Sequence, residues 1–125
     1  MNEKPILPAI ALFLFLILAA CSSSSSPAST NSKIAEGERT FKQNCATCHT
    51  VKLDEVLVGP SLAGIASRAA TRIEGMNSRE YIQFSIIKPS EYVVDGFVDQ
   101  MPTSFGKSLS EDELDGLITY LLSLE

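Results

Sequence analysis

Two cysteines and a histidine stand together in Cys45-Ala46-Thr47-Cys48-His49. Thiols at this spacing sit one helical turn apart, so each can add to one of the two vinyl groups on a haem edge. The adjacent imidazole then reaches the iron as proximal ligand. C-x-x-C-H is accordingly an attachment motif for haem c, with Cys45 and Cys48 as the thioether positions and His49 as the metal ligand. Two other chemistries use such residues. A structural zinc site needs four ligands, usually from two Cys/His pairs, but the chain has three cysteines in all and His49 is its single histidine. A thiol redox pair asks for a βαβ pattern around C-x-x-C and has no use for the trailing histidine; the flanks here read as helix and polar loop.

The N-terminus carries an address. From Ile6 to Ala20 the chain is almost wholly apolar, with Lys4 ahead of it and small residues behind, the order of a secretory signal. At about 15 residues the stretch is short of the ~20 that a membrane span needs. Leu18-Ala19-Ala20-Cys21 resembles the lipobox of bacterial lipoproteins, which implies signal removal after residue 20 and lipidation of Cys21 as the new first residue. An acylated Cys21 would account for the third cysteine, and several acyl chains give stable membrane attachment. Ser22 to Ser32 is Ser-rich and lacks large apolar side chains, so residues 21–32 read as a lipid-anchored flexible tether.

Residues 33–125 remain as one small domain, in which a bound prosthetic group would form a large part of the core. The net charge of −5 is unchanged by loss of the signal, which removes Glu3 and Lys4 together. A basic patch is missing, so no nucleic-acid partner is expected. Ser67 to Pro89 holds Arg68, Arg72, Arg79 and Lys88 against Glu74 and Glu80, while Ser90 to Glu125 is strongly acidic with Lys107 as its one base. An acidic side of this kind would orient the domain on a basic partner.

The elements that must position the motif are helical. Ile34 to Asn44 lacks proline, and Ile34, Gly37 and Phe41 share one face, which predicts a helix ending at the attachment turn. Asn77-Ser78-Arg79-Glu80 has a cap-like start for a second helix, which runs until Pro89 stops it, with Met76 placed to pack on Tyr81. Ser110 to Glu113 is a capping box, with Leu109 and Leu114 as its hydrophobic staple, and Leu114, Leu117, Ile118, Leu121 and Leu122 form the buried stripe of a final helix. Gly- and Pro-bearing loops separate these helices and no period-two strand pattern occurs, so an all-α domain is expected.

The C-x-x-C-H motif, Gly59-Pro60-Ser61-Leu62, Met101-Pro102 and the final helix fall in the order and approximate spacing of class I cytochromes c. The chain resembles that family over nearly all of residues 33–125. The resemblance implies a class I cytochrome c fold around one covalently held haem c. It places Gly37 and Phe41 against Leu117 and Tyr120 at a helix crossing, the Pro60 carbonyl on the His49 ring, and Met101 as the distal metal ligand. It also implies that Arg68, Arg72, Tyr81 and Tyr92 lie on the propionate side. The run from Ile86 through Met101 to Phe105 looks like cytochrome c domains of membrane respiratory complexes, among them lipid-anchored mono-haem subunits of quinol-oxidising assemblies such as alternative complex III.

Iron held by His49 and Met101 would have no vacant position, and thioether ligation raises the potential, which favours electron transfer over catalysis. The reading is a mono-haem electron carrier or haem subunit of a respiratory or photosynthetic complex, on the extracytoplasmic face of a bacterial membrane. Its partners would be redox proteins and the membrane itself. The alternatives are a haem enzyme or a gas or redox sensor with an open or labile sixth position, and a haem-free thiol or structural lipoprotein.

Overall fold

The computed structural model describes residues 27–125. The signal segment, Cys21 and the first half of the expected tether lie outside the described residues. Among the described residues five α-helices follow in order: α1 (Pro27–Asn44), α2 (Ile65–Ala69), α3 (Ser78–Ile87), α4 (Phe105–Ser108) and α5 (Glu111–Leu122). A 3-10 turn, Pro89–Glu91, follows α3, and no strand occurs among the described residues.

Helix α1 begins earlier than expected. Its first residue is Pro27, so residues 27–32, read from composition as flexible tether, are helical. Proline suits the first helical position, where its missing N–H costs nothing and its φ is already set. This extension remains solvent-facing: Ser29 to Lys33 are all exposed, as residues without large apolar side chains should be.

Helices α1 and α5 cross where both backbones carry glycine. A Cβ on Gly37 would run into the Gly116 carbonyl and would lie 2.7 Å from Tyr120 Cβ. Gly37 therefore sets how closely the two helices approach. Gly116 rather than Leu117 supplies the surface directly opposite, while Phe41 and Tyr120 meet as expected with ring centroids 5.7 Å apart. Leu117 and Ile118 are 1% and 2% exposed and form the floor of the core with Ile82 of α3.

Local signals hold α3 and α5 in place. The Asn77 side chain accepts from Glu80 N at 3.0 Å while Asn77 N donates to Glu80 Oε2 at 2.8 Å. Ser110 and Glu113 repeat the arrangement at α5, with Glu113 N donating to Ser110 Oγ at 3.3 Å and Ser110 N to Glu113 Oε2 at 2.8 Å. These reciprocal bonds satisfy donors that helix starts otherwise leave orphaned. Asp115 of α5 also accepts from Lys33 of α1 and from Arg79 of α3, so one carboxylate joins three helices. The short α2 is tied on both sides, by Ala66 N to Leu124 O at 3.3 Å and by Ser78 Oγ to Ala66 O at 2.8 Å. It and α4 fall in the stretches read from sequence as loop. Among the described residues no helix is long and apolar enough to cross a membrane.

Candidate functional site

The backbone of α1 runs straight into the attachment turn. Cys45 N donates to Phe41 O at 2.8 Å, and His49 N then donates to Cys45 O at 2.9 Å. This helical continuation places Cys45 and Cys48 a turn apart on one side of a cleft that both line. Both thiols are free. Burial, assisted by the neighbouring Cys48, pushes the Cys45 thiol up to about 11. Reactive redox cysteines have the opposite property, a lowered pKa and a standing thiolate.

Beyond His49 the chain makes a closed excursion. Gly59 N returns to Cys48 O at 2.8 Å and Leu62 N to Thr50 O at 2.8 Å. Inside the excursion, Thr50 Oγ1 donates to Glu55 Oε2 at 2.7 Å and Ser61 Oγ to Lys52 O at 2.7 Å. Closing the loop base carries Pro60 back over the histidine, and its carbonyl oxygen lies 2.9 Å from His49 Nδ1. A carbonyl can only accept, so Nδ1 carries the hydrogen and Nε2 keeps the lone pair that a metal needs. Gly59 is required at this point. A Cβ on it would sit 2.8 Å from His49 Nδ1 and 2.9 Å from Nε2, against the ring itself.

The rest of the cleft comes from Pro60, Ser61, Leu62 and Ile65, from Tyr81, Ile82 and Ile86 on α3, and from most of the segment Tyr92 to Pro102. Met101 lines it, whereas Met76 lies elsewhere, packed on the core beside a shallow depression with Glu80 and Phe84. Tyr81 and Tyr92 both line the cleft and meet edge to face with centroids 5.8 Å apart. Arg68 and Arg72 line it too. The Arg68 guanidinium is turned onto backbone, donating to Ser61 O at 2.9 Å and to Ala63 O. The Arg72 backbone N–H donates to Ala69 O at 3.2 Å, and its guanidinium makes no hydrogen bond or ion pair among the described residues.

All the residues expected at the site from Cys45 onward therefore share this one cleft. Three contributors were not singled out in the sequence. Phe97 and Phe105 add aromatic wall, and Ser85 adds a buried hydroxyl oxygen that has no hydrogen-bond partner. A lone serine on the otherwise apolar inner face of α3 was the available signal for the last. About 1280 Å³ of space, counting the open mouth, lies between the walls. Paired thiols, an imidazole with its tautomer set, a thioether, the Arg72 guanidinium and an orphaned hydroxyl in an apolar slot suit a large, flat, mainly apolar group with a metal and anionic substituents. The residues present fit haem.

A helical domain with such a slot is a haem c domain. Residues 34–125 match the family model for cytochrome c, and the chain belongs to that family. Its domain binds one covalent haem c, with Cys45 and Cys48 as the cysteines of the attachment motif, and its function is haem-based electron transfer. Members are typically electron carriers rather than enzymes. No curated protein matches the chain in a sequence comparison.

Proposed function

We propose that this cytochrome c is a single-electron carrier with His49 and Met101 as its iron ligands. It would be held at the extracytoplasmic face of a bacterial membrane through lipidated Cys21 and would work beside, or as a subunit of, a membrane electron-transfer complex. The observation that carries the ligand set is the placement of Met101 on the cleft of Cys45, Cys48 and His49, with Met76 away from it. Bound haem supplies a ferric/ferrous couple. His49 contributes an imidazole whose Nδ1 hydrogen is held by Pro60, and Met101 a thioether that raises the potential. With both engaged, no coordination position is left for a substrate.

The lip of the cleft supports exchange with a protein partner. Val58, Val93 and Val98 line the cleft and are nevertheless exposed, and Asp99 stands exposed among them. An apolar lip carrying the Asp99 carboxylate suits a partner that sets a base beside an apolar patch. From Cys21 to Pro27, where α1 starts, is six residue steps, at most ~22 Å even fully extended. Such a short leash favours a partner in the same membrane.

Carbon monoxide and a membrane-partition assay test this reading together. Reduced protein should leave its spectrum unchanged under carbon monoxide, and Cys21→Ala should move the protein from the membrane to the soluble fraction. Ready carbon monoxide binding would favour the enzyme or sensor class, and a Cys21→Ala variant that stays on the membrane would remove the lipid anchor.

A further inference from the structure

Arg68 would be expected to face an anionic substituent of the haem, yet its guanidinium lies back along the chain. Nη2 donates to Ser61 O at 2.9 Å and Nη1 donates to Ala63 O. Those carbonyls lie one and three residues beyond Pro60, whose own carbonyl receives the His49 Nδ1 hydrogen at 2.9 Å. The segment between has little regular structure to stiffen it. It passes through Gly64, which is left-handed at φ 65, before the short α2 begins. A Cβ on Gly64 would lie 3.2 Å from Arg68 Nη1, so the side chain is folded closely over this turn.

We propose that Arg68 is a positioning residue for the proximal histidine: its planar fork holds Ser61 and Ala63 so that the Pro60 carbonyl stays on His49 Nδ1. The proposal rests on His49 being the proximal ligand. A guanidinium presents two parallel donors in one plane, which a lysine ammonium cannot reproduce. With the fork gone, Leu62 N to Thr50 O and Ser61 Oγ to Lys52 O still tie the segment to residues 50–52, while the bonds from Ala63 N to Ser61 Oγ and from Ile65 N to Leu62 O are internal to it and anchor it to nothing else. A Pro60 carbonyl free to drift holds Nδ1–H less well, which makes Nε2 a weaker donor to the metal. Weaker donation stabilises ferric iron less, and the potential rises.

Charge acts in the opposite direction. A cation near the haem disfavours the ferric state, so losing the Arg68 charge by itself lowers the potential. Arg68→Lys keeps the charge and loses the fork, whereas Arg68→Gln loses both. In full-length holoprotein, the exchange of the His49 Nδ1 hydrogen is followed by nitrogen NMR in the reduced state, and the midpoint potential is measured beside it. Positioning predicts exchange about tenfold faster in both variants, together with a raised potential in Arg68→Lys. Unchanged exchange and potential in Arg68→Lys, with a lowered potential in Arg68→Gln, is the signature of charge alone and overturns the proposal.

Backbone amide exchange covers a variant that loads haem poorly. The Gly59 and Leu62 amides, which close the loop base, should open faster while those of α5 keep wild-type protection. Acceleration of both regions together would mean general destabilisation and would equally overturn it. A wild-type protein whose mass shows no haem adduct would refute the proximal-ligand reading instead, which separates that failure from this one.

Discussion

Gly37 of α1 and Gly116 of α5 meet backbone to backbone, and the contact is asymmetric in what it tolerates. A Cβ on Gly37 would collide with the Gly116 carbonyl, whereas a Cβ on Gly116 would find its nearest neighbours at 3.4 Å, on Glu36 Cγ and Gly37 N. Since α1 ends in the haem-attachment turn and Leu121 of α5 lines the cleft, this crossing sets the distance between two walls of the site. Gly37→Ala should therefore cost about 1–3 kcal/mol by overpacking, despite the better helix propensity of alanine. Gly116→Ala should be close to wild type. Denaturant midpoints of the two holoproteins check this, and an equal or reversed order would contradict it.

Asp115 should make stability depend on acidity. The Lys33 side chain, followed by Arg79, holds its carboxyl below the ordinary 3.8 against an opposing effect of desolvation. A depressed carboxylate contributes stability that is present above the unfolded-state value and is lost as pH falls through the folded-state value. The side chain is 32% exposed, so the contribution is no more than ~1 kcal/mol. Asp115→Asn should accordingly be less stable than wild type at pH 7, with the gap closing below pH 3.8. A gap that stays constant from neutral pH into acid would place the effect in packing instead.

Much of this arrangement is legible in sequence where the determinants are local. The Asn77 and Ser110 boxes are each written within four residues, and the C-x-x-C-H spacing follows from the turn it occupies. The Pro60 carbonyl was placed by family resemblance, and the structure puts it at hydrogen-bonding distance. What was missed depends on company. Residues 27–32 have tether-like composition, but Pro27 starts a helix that the stretch after Ile34 then propagates. Helices α2 and α4 are too short to show a period of their own. Gly116 is an ordinary small residue until Gly37 is brought against it, and the backbone engagement of Arg68 cannot be inferred from an arginine eight positions past a proline.

Gly59 should be intolerant of any side chain. A methyl group there would press on the His49 ring, which must tilt and release the Pro60 carbonyl. Gly59→Ala is expected to mature with less haem per chain and a perturbed proximal ligand. The readouts are haem content by alkaline pyridine assay and the spin state of the oxidised protein. Wild-type values for both would contradict the close packing of Gly59 on the imidazole.

With His49 and Met101 as the proposed iron ligands the coordination sphere would be filled, and the absorption spectrum of the oxidised holoprotein reports on that directly. A weak sulfur-to-iron band in the red should be present in wild type and in Met76→Leu. It should be absent in Met101→Ala, which should also show a lowered potential and newly acquired carbon monoxide binding when reduced. A band that survives Met101→Ala, or that wild type lacks, would contradict the assignment.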